Sequence, residues 1–155
     1  MRKITNATTH ATALLIGEGA LLLRGSSGSG KSFIALQLIA EAQACARYCV
    51  RLIADDRVYL DILPNNILQA RAPDSLKSLI EQRHCGLLTT QFEHSGIVKA
   101  ILDLDAKAPR LPAEEENVAD ISGVKLPRFY HMPKTPFSLL QALELMKKAS
   151  AHQSL

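Results

Sequence analysis

For most of its length the chain places apolar residues in short bursts, and only two stretches switch to helical spacing. Ala11–Ile16 and Ala20–Leu23 are apolar runs split by Gly17-Glu18-Gly19, which predicts a hairpin with a Gly-rich turn. Gly25–Gly30 breaks all periodicity. From Lys31 the spacing becomes helical: Ile34, Leu38 and Ala42 form one stripe, widened by Ala35, Leu36 and Ile39, and the helix is expected to end near Ala46. Val50–Ala54 reads as a strand, interrupted only by Arg51, that ends at Asp55-Asp56. Val58–Ile62 and Ile67–Arg71 read as strands joined by a Pro64-Asn65-Asn66 turn. Ser75–Ile80 is expected to form a short helix capped by Asp74. Gly86–Thr89 and Ile97–Asp103 follow as strands, Ala106–Asn117 as an acidic loop, and Val118–Val124 and Pro127–His131 as short strands. Pro136–Lys148 predicts an amphipathic helix with Leu139, Leu140, Leu143 and Met146 on one side, and Ala149–Leu155 is expected to fray. Many strands with two strong helices and no repeats predict an α/β fold with a mixed sheet.

Composition narrows the class. At 155 residues the chain suggests one domain, 1–155. It is 47% apolar and 21% charged, without Trp, so the core must be aliphatic. The net charge of +3 is mild. It does not argue for nucleic acid and suits an anionic small molecule or an acidic protein equally well. Cys45, Cys49 and Cys85 are odd in number and lack framework or zinc spacing, which predicts reduced thiols in a cytoplasmic protein. The polar Met1–His10 does not read as a signal peptide, and no apolar stretch approaches the roughly 20 residues of a membrane span.

Gly25-Ser26-Ser27-Gly28-Ser29-Gly30-Lys31-Ser32 fits G-x-x-x-x-G-K-[ST] at every fixed position, with an apolar run before it and a helix after it. The glycines let the backbone curl so that amides point inward. With the helix N-terminus they make a nest for phosphate oxygens. Lys31 is a compact cation for the outer phosphates, and the Ser32 hydroxyl is a hard oxygen ligand for Mg²⁺. A Gly/Ser-rich turn before a helix does not by itself call for Lys-Ser after its last glycine. The cradle alone names no reaction.

Asp55-Asp56 ends an apolar strand, the ligand edge of an α/β sheet. Neighbours on a strand point to opposite faces, so one carboxylate could accept a proton while the other binds Mg²⁺ or a nearby cation. A plain turn after a strand is the other reading. Glu81-Gln82-Arg83 could add a metal carboxylate and a phosphate-neutralising Arg, or be a solvated charged stretch. His10, before the first strand, carries no signal alone.

Together these pieces resemble the catalytic domain of the HPr serine kinase/phosphorylase family. His10-Ala11 is similar to the family's H-G/A, Leu21–Ser32 to its phosphate loop, and Leu52–Val58 (LIADDRV) to its L-V-A-D-D-x-V. Glu81–Leu88 (EQRHCGLL) is similar to its E-I-R-G-L-G-I-I, and Ile121–Pro127 to a segment before its last strands. The resemblance implies a P-loop kinase-like α/β domain with a mixed β-sheet, flanking helices and a C-terminal helix. It implies a cytoplasmic bacterial enzyme that uses ATP and Mg²⁺ to phosphorylate a serine of an HPr-like phosphocarrier protein, with no nucleic acid or membrane partner. Hexameric assembly is a family expectation. Carried over by position, Asp55 resembles the general base, His10 and Lys31 catalytic helpers, Ser32 and Glu81 the Mg²⁺ ligands, and Arg110 a catalytic arginine. Three departures stand out. Typical members carry a further N-terminal domain. His84 replaces the signature's first Gly. The family's P-V-R-P-G-R, tied to dephosphorylation, is Pro133–Ser138 (PKTPFS) here, which predicts a weakened reverse reaction. Two other readings stay open: a P-loop small-molecule kinase, for which no Arg-rich lid stands between Ser75 and Ile97, and a nucleotide-sensing regulator without turnover.

Overall fold

The structure is a computed structural model that describes residues 7–82 and 84–153. Its centre is a curled mixed sheet. Strand β2 (Thr12–Ile16) forms a hairpin with β3 (Gly19–Gly25), pairing Thr12 with Leu23 and Ile16 with Gly19. On its other edge β2 pairs antiparallel with β4 (Val50–Ala54). Strand β3 runs parallel to β9 (Ser95–Leu104), and β9 runs parallel to β11 (Val124–His131). Strands β3, β4, β9 and β11 therefore share one direction, and their carboxyl ends meet along one edge. The order continues from β9 through β6 (Ile67–Arg71) and β5 (Arg57–Leu63) to β1 (Thr9–His10). β10 (Val118–Ile121) adds to β11. β7 (Leu79–Gln82) and β8 (Gly86–Thr89) form a separate hairpin.

Strand alternation sorts the core into two layers. Leu21 and Leu23 of β3 face a cluster with Ile34, Leu38 and Ala42 of α1 (Lys31–Cys45) and Leu139, Ala142 and Leu145 of α2 (Leu139–Gln153). Ala20 and Leu22 face the other way, against Val58, Leu68, Val124 and Leu126. Both helices thus cover one face, and strands curl over the other. The expected α1 stripe is the one that is buried, and the Gly-turn hairpin forms as read.

Several expectations change. The expected strand Val118–Val124 is split by a turn at Ser122 and Gly123, so β10 stops at Ile121 and β11 begins at Val124. Ser75–Ile80 is not a helix: only Asp74–Leu76 makes a 3₁₀ turn, Ser78 takes φ 64°, and Leu79 starts β7. Ile80 is fully buried, so pairing and burial prevail over weak helix propensity. Asp74 pairs with Lys77 at 2.7 Å instead of capping. The last helix begins at Leu139 because Ser138 and Gln141 form a reciprocal cap: Gln141 N–H donates to Ser138 Oγ, and Ser138 N–H donates to Gln141 Oε1. Its buried stripe is Leu139, Ala142, Leu145 and Ala149, whose two alanines let the helix lie close to the sheet, while Leu140 is exposed. Ala149–Gln153 is helical and not frayed; Ser154 and Leu155 lie outside the described residues. Among the described residues no helix is long and apolar enough to cross a membrane.

Candidate active site

The shared carboxyl edge gathers the phosphate loop, the aspartate pair and His10. β3 ends in Gly25, where a Cβ would lie 2.6 Å from Ser29 Oγ and 3.1 Å from Leu104 O, so any side chain would crowd the loop. Gly30 takes φ 103° as the residue before α1, a left-handed conformation that glycine adopts without penalty. No side chain caps α1, and its first turn carries no acid. The helix start therefore presents unneutralised amides at Gly25–Ser32, as an anion site requires.

Lys31 is buried and bends back over the loop, donating to Gly25 O at 2.9 Å and Ser26 O at 3.1 Å. An ammonium has three donors, so one is left for a phosphate oxygen. Burial lowers the Lys31 ammonium below its ordinary value, with Asp56 and then Asp55 pulling it back up.

The aspartates have separate surroundings. Asp55 is 7% exposed. Its Oδ1 accepts from Thr12 Oγ1 at 2.9 Å and Ser32 Oγ at 2.8 Å, and its Oδ2 accepts from the Glu81 N–H at 3.1 Å. Asp56 takes φ 66°, which turns it away from its neighbour. Its side chain is 60% exposed and lies 2.6 Å from His10 Nε2. His10 sits on β1, paired with Arg57 of β5, and so on a separate short strand from the one that enters the phosphate loop.

The Ser32 hydroxyl gives its proton to Asp55, which leaves its lone pairs for a cation. Among the described residues no three His, Cys, Asp or Glu side chains converge on one point. Mg²⁺ does not need such a cage; it keeps waters and phosphate oxygens and takes one or two protein oxygens. Ser32 with Asp55 is a donor set of that kind. Glu81 is brought to the site by its backbone, and its side chain is exposed.

Arg110 does not join this group. It is exposed in the connection from β9 to β10, with no hydrogen bond or ion pair among the described residues. Arg83 lies outside the described residues. Two contacts had no sequence signal. Thr12, buried in β2, reaches Asp55 across 43 positions. The Lys134 N–H donates to Ser29 O at 2.8 Å, which seats the Pro133–Ser138 segment on the phosphate loop. Behind the loop, Asp103 on β9 takes Arg24 Nε and Nη2, each at 2.7 Å, and Arg128 Nε at 2.6 Å.

Residues 3–104 match the family described as the HPr Serine kinase C-terminal domain. The HPr kinase/phosphorylases of Burkholderia cenocepacia (strain HI2424) and Paraburkholderia phymatum are each 34% identical over 132 residues. These alignments cover 77% of this chain and 38% of each relative, so the chain spans well under half the length of the curated relatives it matches. The HPr(Ser) kinase/phosphatase of Coxiella burnetii shares the fold: TM-score 0.71 at 23% identity, over 94% of this chain and 90% of that one. With the family's region running from His10 through the phosphate loop and the aspartate pair to the end of β9, the chain belongs to the HPr serine kinase C-terminal domain family.

Proposed function

We propose that this domain transfers the γ-phosphoryl group of ATP to a serine of an HPr-type phosphocarrier protein. The observation that carries the reading is the convergence of Lys31, Ser32, Asp55, Asp56 and His10 at one sheet edge. Family membership supports the carrier as the acceptor.

The loop amides and Lys31 would hold the β- and γ-phosphates in line with the acceptor. Ser32 and Asp55 would hold Mg²⁺, with Glu81 beside them. Bound there, Mg²⁺ supplies charge neutralisation of the phosphate oxygens. The family resemblance assigns the proton-accepting role to Asp55. Exposure and bonding favour Asp56: Asp55 is enclosed by three donors, whereas Asp56 is open to an incoming hydroxyl and backed by His10. Positioning and electrostatics supply most of the rate in such transfers. Arg110 has no part in this scheme.

The reverse reaction is expected to be weak, because Pro133–Ser138 offers one point charge, Lys134, where the family resemblance calls for two arginines. A cytoplasmic location and a homo-oligomer, hexameric by resemblance, belong to the same proposal. Incubation with γ-labelled ATP, Mg²⁺ and a purified phosphocarrier tests the function. Labelled phosphoserine on the carrier is expected. Tight ATP binding without transfer would favour the nucleotide-sensing regulator instead.

A further inference from the structure

We propose that Thr12 is a positioning residue of this site, a single hydroxyl that sets both aspartates. Thr12 is the first residue of β2 and is fully buried. Its Oγ1 donates to Asp55 Oδ1 at 2.9 Å and accepts from the Asp56 N–H at 3.5 Å. A hydroxyl has one proton and two lone pairs, so it makes both contacts at once.

Each contact has its own consequence. The donated proton completes the enclosure of Asp55. Its carboxylate is then pinned from β2 by Thr12, from α1 by Ser32 and from β7 by the Glu81 amide. Its rotation is fixed at the oxygen it shares with Ser32, the side where a cation would sit. The accepted N–H belongs to a residue at φ 66°, a conformation that costs a non-glycine residue free energy and persists only when its surroundings hold it. Thr12 Oγ1 and the bond from Ala11 N–H to Asp56 O at 3.2 Å do this. The turn they hold is the one that aims Asp56 at His10. His10 ends β1 and Thr12 starts β2, with Ala11 between them, so the same stretch that presents the histidine inserts the hydroxyl.

A buried threonine with a satisfied hydroxyl would look similar if it served packing alone. Thr12→Val and Thr12→Ser separate the two roles. Val keeps the shape and suits a strand but removes both bonds; Ser keeps the hydroxyl and loses the methyl group. The binding readout is ATP affinity by calorimetry with and without Mg²⁺; the turnover readout rests on the kinase reading above. In Thr12→Val, affinity without Mg²⁺ is expected to stay at the wild-type value. The gain that Mg²⁺ confers, and the turnover, are each expected to fall about tenfold, the usual effect of losing a partner behind a ligand. Thr12→Ser is expected to keep both. A wild-type Mg²⁺ gain and turnover in Thr12→Val would overturn the proposal, as would a loss in Thr12→Ser equal to that in Thr12→Val. Thermal melting establishes that the variants fold, and Thr12→Ala makes the same comparison should Val not be accommodated. If the wild type transfers no phosphate, the kinase reading fails and the binding readout still decides the role of Thr12.

Discussion

Asp55 and Asp56 are adjacent in the chain, yet one is closed in by three donors and the other is open beside a histidine. This predicts a split in their mutants. Asp56→Asn should keep Mg-ATP affinity within about threefold and lose turnover by about 10² or more, as loss of a general base does. Asp55→Asn should instead weaken the Mg²⁺-dependent part of ATP affinity, by about tenfold; calorimetry and steady-state kinetics on both variants check this. Lys31 gives a pH prediction. Burial lowers its ammonium below the ordinary 10.5 in the free protein. A bound phosphate favours the charged form, so ATP affinity is full below the lowered value and falls as pH rises through it, before 10.5 is reached. Lys31→Ala should abolish both the alkaline limb and most of the affinity. The phosphate loop was legible because its chemistry lies in eight consecutive residues. The different surroundings of the two aspartates were not, because they depend on Thr12 and the Glu81 amide, which the fold brings from distant parts of the chain.

At the scale of elements, three strands are tied together directly behind the phosphate loop. Arg24 precedes Gly25 on β3, Asp103 lies near the end of β9, and Arg128 comes from β11. The hydrogen bond to Asp103 raises the Arg24 guanidinium above its ordinary value, against the effect of burial. Asp103→Asn leaves two guanidinium groups without their counter-charge. It should cost about 2 kcal/mol of stability in urea unfolding, the scale of lost charged hydrogen bonds. The elements that sequence reasoning placed well, β2, β3, α1 and β4, have strong apolar periods and clear Gly or Asp ends. Residues 74–82 went astray because Leu79–Gln82 is defined by its hairpin partner Gly86–Thr89 and by the burial of Ile80. The start of α2 was misplaced by Pro136, a good first helical residue by itself. The Ser138–Gln141 cap and the acceptors Gln37 and Glu41 on α1, which take the Phe137 and Leu139 amides, fix it later.

Across the whole molecule, parallel β3, β4, β9 and β11 end together, and α1 points its N-terminus at the same edge. The fold thereby creates a ligand edge of the kind open α/β sheets use, while the second face is closed by curled strands. Pro133–Ser138 returns from β11 onto the phosphate loop through the Lys134 amide, which supports the proposal that this segment would neighbour a second phosphate. Two phosphates repel strongly in a site that excludes water, and Lys134 is a single cation. Phosphorylated carrier given excess inorganic phosphate should therefore lose its phosphoserine more slowly than the forward reaction forms it. Equal rates would show that other groups hold the second anion.

The most direct test of the central claim is intact-protein mass spectrometry of a purified HPr-type phosphocarrier after incubation with Mg-ATP and this chain, beside a parallel incubation with Asp56→Asn. The account predicts one phosphate, on a serine, with the wild type and almost none with Asp56→Asn. A carrier left unmodified by a wild-type chain that binds ATP, or modified equally by both, would contradict it.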